Sequence, residues 1–152
     1  MLLRELQKLW CMPRRERKLL LQVVLVVPLI GIALRLVGFK RASSWLRRFA
    51  RTNAPVPNPE AEVERHRRIL ILLHGRVPFV GGCLARALAI WFLLRRKGIA
   101  THLRFGMRRP TGTLEVHSWV EYKERPLTLD QRVQEHYSSF PGPTLPLIAK
   151  QP

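Results

Sequence analysis

The chain has 152 residues, 47% of them hydrophobic, which gives room for one compact domain of ordinary size with an appendage and can supply a core. Its 27 Lys and Arg against 10 Asp and Glu give a formal charge of +17, which points to an acidic protein, nucleic acid or an anionic membrane surface as partner. Two cysteines, Cys11 and Cys83, exclude a disulfide framework and a cysteine-rich zinc set, so a reducing cytoplasm is the expected compartment.

The charge is uneven, with 12 basic and 2 acidic residues in 1–55. Met1 to Met12 sets Leu2, Leu3, Leu6, Leu9 and Trp10 on one side of a short amphipathic helix that Pro13 ends. From Leu19 to Leu34 the chain is apolar except for Gln22, with Arg14, Arg15, Arg17 and Lys18 before it and Arg35, Lys40 and Arg41 after. Three readings stand for this stretch: a helix packed on the rest of the chain or on a partner protein, interfacial contact with a membrane, or a true span. The apolar run is short for a span of about 20 residues, Pro28 is expected to kink it, and no small-residue cleavage site follows. Ser43 or Ser44 is expected to cap a third short helix carrying Trp45, Leu46 and Phe49 on its apolar side.

Pro55, Pro57 and Pro59 mark a linker, which places the expected boundary between a basic helical appendage, 1–55, and the main domain, 56–152. Asn58 is expected to cap a helix from Pro59 to His74, with Glu60, Glu62 and Glu64 near its positive end, Val63, Leu70 and Leu73 packed, His66 on the solvated side, and Gly75 as the stop. The next helix opens with Gly81-Gly82-Cys83 and is apolar from Cys83 to Leu94 except for Arg86, so it must be covered on nearly every side. Arg95, Arg96 and Lys97 suit its negative end, and Gly98 ends it.

Beyond Gly98 the pattern alternates. Residues 99–106 read as a strand, Leu114 to Tyr122 as the strongest strand, Lys123 to Arg125 as a hairpin turn, and Pro126 to Leu129 as a third strand with Asp130 at its end. In the second strand Glu115, His117, Trp119 and Glu121 share one side. Residues 131–137 suggest a helical turn, and the prolines beyond it a tail without regular structure.

A cysteine at a helix start, a histidine inside a strand and an aspartate at a strand end make a possible Cys-His-Asp set of Cys83, His117 and Asp130. Thiolate is a strong nucleophile, imidazole holds its proton near neutral pH, and a carboxylate fixes the imidazole orientation. Unpaired N–H groups at the helix start lower a thiol pKa and can hold an oxyanion. Each residue also has a plain structural reading: Cys83 as a small buried apolar side chain, His117 as a half-buried sheet residue, Asp130 as a turn former. No cluster has metal-ligand spacing, and the basic residues lack both a glycine-rich phosphate loop and the aromatic interleaving of a single-strand binder.

The combination of "CLARAL" at Cys83–Leu88, "LLRRKGI" at Leu93–Ile99 and "HSWVE" at His117–Glu121 resembles the lasso-peptide maturation B proteins, and the basic, leucine-rich segment before it resembles the stand-alone protease half of split versions. The resemblance covers about residues 60–132. It implies an α+β, transglutaminase-like and papain-related domain in which a catalytic helix packs on a small antiparallel sheet. It also implies a leader peptidase with Cys83 as nucleophile, His117 as base and acid, and Asp130 as the third member, needing no metal or organic cofactor. The implied partners are the precursor peptide, a separate leader-recognition protein, since no small winged-helix recognition domain is recognisable here, and an ATP-dependent cyclase. Nucleic acid is not among them, and the N-terminal helices are the candidate membrane contact. Two rivals predict different behaviour: a basic binding module in which Cys83 is only buried, and a thiol acyltransferase that passes the acyl group to an amine.

Overall fold

A computed structural model describes residues 13–50, 56–73, 82–109, 111–127 and 133–139. The architecture is α+β, and its centre is helix α3. Helix α1 (Arg14–Phe49) follows Pro13, helix α2 (Pro59–Leu73) precedes α3 (Gly82–Arg96), and strands β1 (His102–Arg108), β2 (Glu115–Tyr122) and β3 (Arg125–Pro126) follow it. A short helix α4 (Val133–His136) and strand β4 (Ser138–Ser139) complete the described elements. The amphipathic segment 1–12, His74 with Gly75, and the end of the expected third strand lie outside the described residues.

Helix α3 is apolar all round because it is covered all round. Ala85, Ala87, Leu88, Ala89, Ile90, Trp91, Leu93 and Leu94 are buried. Its C-terminus ends as the sequence implies: Gly98 adopts φ +79°, Gly98 N–H donates to the Arg95 carbonyl and Ile99 N–H to that of Leu94. Arg95 and Arg96 lie over the rings of Trp91 and Phe92, so their stems also cover apolar surface.

Helix α1 packs chiefly on α3. Leu19, Leu20, Val23, Val27, Ile30 and Gly31 form its buried side, at the three- and four-residue spacing of one helix face. These residues and those of α3 share one core. The break in α1 comes at Gly38 (φ +76°, ψ 169°), while Pro28 lies inside the helix with no departure from helical backbone. A proline withdraws one donor, which a helix can tolerate; a positive φ ends the helical repeat outright. The bend brings Phe39 edge-on to Phe105 of β1, with ring centroids 5.7 Å apart. No third helix starts at Ser43 or Ser44. Ser43 is buried within α1, and its hydroxyl donates to the Lys40 carbonyl one turn back.

In α2 the Asn58 carboxamide oxygen accepts from Ala61 N–H at 3.0 Å, the expected cap. Val63, His66, Ile69 and Leu73 are buried. His66 was expected on the solvated side, yet it is fully buried. Its spacing from Val63, Ile69 and Leu73 puts it in the apolar row, and its Nδ1 satisfies itself locally by bonding the Glu62 carbonyl at 2.7 Å. Glu62 also meets Lys97 at 2.5 Å, and Glu60 meets Lys123 at 2.5 Å, so α2 is tied to both the end of α3 and the β2–β3 turn.

The sheet is antiparallel, in the order β3-β2-β1-β4. Lys123 and Glu124 both have positive φ, which makes the two-residue turn that joins β2 to β3 with the sheet's own twist. Leu103 pairs with Val120 and Phe105 with Ser118 on the side that faces α3, where Leu103 and Val120 join the main core. On the reverse side Arg104 pairs with Trp119 and Gly106 with His117. That side is covered by the returning 133–139 segment, whose Tyr137 Cβ approaches Gly106 together with the Trp119 ring; Val133 and Trp119 are both buried.

Candidate active site

Cys83 is the second residue of α3 and is half-buried. Gly82 before it has φ +63°, a conformation other residues resist, and so the chain turns abruptly into the helix. Here the thiol sits among N–H groups that have no intrahelical acceptor and at the positive end of the helix dipole.

The thiol meets β2 where that strand's edge is open among the described residues. Strand β3 pairs only with Glu121 and Tyr122, and Leu127 N–H reaches back to the Val120 carbonyl. One step further along, His117 and Ser118 face Cys83. The Cys83 pKa is brought down from 9.0 to about 6, chiefly by hydrogen bonding with the His117 side chain. Partial burial opposes the shift; the Ser118 hydroxyl and the Ser118 N–H assist it. Among the described residues the buried Ser118 Oγ has no partner at hydrogen-bonding geometry, which leaves its hydroxyl free to turn toward the sulfur. At neutral pH the sulfur is therefore largely thiolate.

His117 is held by its neighbours. The Trp119 ring stacks with it at 6.3 Å and the Tyr137 ring at 5.2 Å. Tyr137 belongs to the returning segment and in turn lies under the Arg108 guanidinium at 4.7 Å. The close approach depends on Gly106: a Cβ there would lie 2.8 Å from Trp119 and 2.9 Å from Tyr137. Trp119 is fixed at its far edge, where its indole N–H donates to Glu121 at 2.8 Å. Glu121 is buried and also accepts from Gln134 Nε2 at 2.8 Å and Arg104 Nε at 2.9 Å. Burial alone would raise its pKa; hydrogen bonds from Gln134, Trp119 and Arg104 outweigh that and hold it below 4.5.

The structure thus brings Cys83 and His117 together, whereas Asp130 lies outside the described residues. Ser118, Glu121 and Tyr137 were not singled out from the sequence as site residues. Glu121 had a legible sign, since it shares the His117 face at two-residue spacing; Tyr137 had none, because its place depends on how the chain returns.

Chemically, a thiolate with an imidazole beside it and free N–H donors at a helix start is equipped for acyl transfer at a carbonyl carbon. A model of the transglutaminase-like superfamily matches residues 26–140. The chain belongs to the transglutaminase-like superfamily. Its members are generally of the cysteine protease or acyltransferase type, and the helices and small antiparallel sheet described above agree with that fold. The match begins within α1, upstream of the proline-marked stretch, and ends just after β4. Neither the curated proteins nor the solved structures give a match to this transglutaminase-like chain.

Proposed function

We propose that this protein is a cysteine protease that removes the leader from a lasso-peptide precursor delivered by a separate recognition protein. The observation that carries the reading is the placement of Cys83, in the first turn of α3, against the His117 imidazole of β2, whose influence brings the thiol pKa down to about 6. The "CLARAL", "LLRRKGI" and "HSWVE" combination supports the narrower choice of substrate.

In this mechanism the Cys83 thiolate attacks the last leader carbonyl, and the oxyanion is met by N–H groups at the start of α3. His117 gives its proton to the departing core amine as the C–N bond breaks, leaving a thioester. It then takes a proton from water as the water attacks, and the leader leaves as a carboxylic acid with the thiolate and the protonated imidazole regenerated. Asp130 is assigned the third role, orienting the imidazole. The free core amine would pass to the cyclase.

The test is mass spectrometry of a cognate precursor incubated with this protein and its recognition partner. Cleavage at the leader–core junction that disappears with both Cys83→Ala and His117→Ala is the expected result. An intact precursor in every reaction, with folded protein and a demonstrated ternary complex, overturns it. A product whose mass carries an added amine assigns the same thiol to acyl transfer instead.

A further inference from the structure

Most of the large apolar side chains left exposed among the described residues lie on α1. Leu21, Leu25, Leu29, Ile32 and Leu36 are 58%, 64%, 64%, 48% and 79% exposed. Their spacing of four, four, three and four puts them on one line along the helix, roughly 22 Å from end to end. Past the bend, exposed Trp45 and Phe49 continue the apolar surface beside a groove of about 420 Å³, walled also by Ala33 and Phe92. The line is bounded by cations. Arg14 and Lys18 prolong it at one end, Arg35, Lys40 and Arg41 follow at the other, and all five are exposed. No acidic residue occurs from Arg17 to Pro59.

We propose that this face of α1 docks on an anionic lipid bilayer, with the helix lying in the interfacial plane. An aliphatic stripe with no hydrogen-bonding side chain offers a protein partner little to register on, whereas lipid chains require none. Cations at both ends of the stripe match anionic headgroups, since the one carboxylate of α1, Glu16, is paired with Arg68, and long Arg and Lys stems let leucines enter while the charges stay at headgroup level. Trp45 supplies the amphipathic ring favoured at that level. The helix is long and apolar enough to cross a membrane by composition. A crossing is nonetheless incompatible with the fold: the opposite face, with Leu19, Val23, Val27 and Ile30, is packed into the core shared with α3. Lying flat keeps that packing and places the Cys83 domain at the membrane surface.

The proposal is read without peptide cleavage, so it stands or falls apart from the peptidase reading. Full-length protein is sedimented with vesicles of phosphatidylcholine alone and of phosphatidylcholine mixed with phosphatidylglycerol. Binding to the mixed vesicles that weakens with added salt and falls sharply on pure phosphatidylcholine is expected. The double variant Leu25→Glu with Leu36→Glu, both at exposed positions, should lose binding about a hundredfold or more with its circular dichroism unchanged. Arg14→Gln with Lys18→Gln should lose about tenfold. Wild-type protein that stays in the supernatant with mixed vesicles, or a folded Leu25→Glu, Leu36→Glu variant that binds as wild type does, overturns the proposal. So does a wild-type dimer, free of vesicles, that the same leucine substitutions dissociate, which would assign the face to a second copy of the chain.

Discussion

Trp119 donates its indole N–H to Glu121 at 2.8 Å while its ring stacks against His117, so a buried carboxylate two residues away fixes the wall of the imidazole. Glu121→Gln tests the arrangement. An amide keeps the volume but turns one acceptor into a donor facing Gln134 or Arg104, whose guanidinium loses its counter-charge. We expect a loss of about 2–3 kcal/mol in denaturant unfolding. The sign with pH follows from a folded-state pKa below the usual 4.5. The carboxylate stabilises the fold fully above that value, and its contribution fades as pH falls through the lower folded-state pKa. Wild-type stability in the Gln variant, or an acid limb identical in both proteins, would remove Glu121 from this role.

The thiol is expected to titrate near 6, read by its ultraviolet thiolate absorbance or by the rate of alkylation against pH. In His117→Ala, which removes the largest favourable contribution, the midpoint should rise toward the ordinary 9.0. Ser118→Ala should raise it by less. Because the folded pKa lies below the unfolded one, thiolate formation favours the folded state above 9.0, and this is lost as pH falls through about 6. A midpoint that His117→Ala leaves in place would separate the two side chains.

Gly106→Ala adds one methyl group where Trp119 and the Tyr137 Cβ already stand within 3.0 Å. Neither neighbour yields easily: one is a rigid buried ring, the other is attached directly to backbone. A destabilisation of about 1–3 kcal/mol is expected. The same displacement disturbs both rings stacked on His117, so the Cys83 midpoint should move upward in the folded variant. Unchanged unfolding and an unchanged thiol midpoint together would show that the approach is looser than the geometry requires.

Much of this was legible because local chemistry and global packing agree. The all-apolar run from Leu88 to Leu94 could only be an enclosed helix, Asn58 and Gly98 mark ends by caps that need no tertiary context, and the alternation in "HSWVE" sets His117, Trp119 and Glu121 on one face. What escaped depends on contacts distant in sequence or on a choice between equivalent local options. Pro28 looks like the stronger helix breaker than Gly38, yet the bend falls where Phe39 gains Phe105 as a partner. The pairing of Tyr137 with His117 arises from a chain return that carries no periodic mark. A histidine fits either face of an amphipathic helix, and so the inward turn of His66 was hidden as well.

That buried histidine sets the last expectation. Burial takes the His66 pKa down from 6.5 to about 4; the Glu62 carbonyl, which accepts from Nδ1, and the Glu62 carboxylate resist the shift, while Lys97 and Arg65 add to it. Among the described residues its Nε2 has no partner, so protonation would place an unsatisfied N–H in the core. Unfolded chains take up this proton near 6.5 and folded ones only near 4. Stability should therefore fall as pH drops from 6.5 toward 4 and level off below, by about 3 kcal/mol in all. Denaturant unfolding at successive pH values should show that slope in the wild type. His66→Gln, which has no proton to gain, should flatten it even if its stability at neutral pH is lower. A slope between pH 6.5 and 4 that survives in His66→Gln would place its origin in another group.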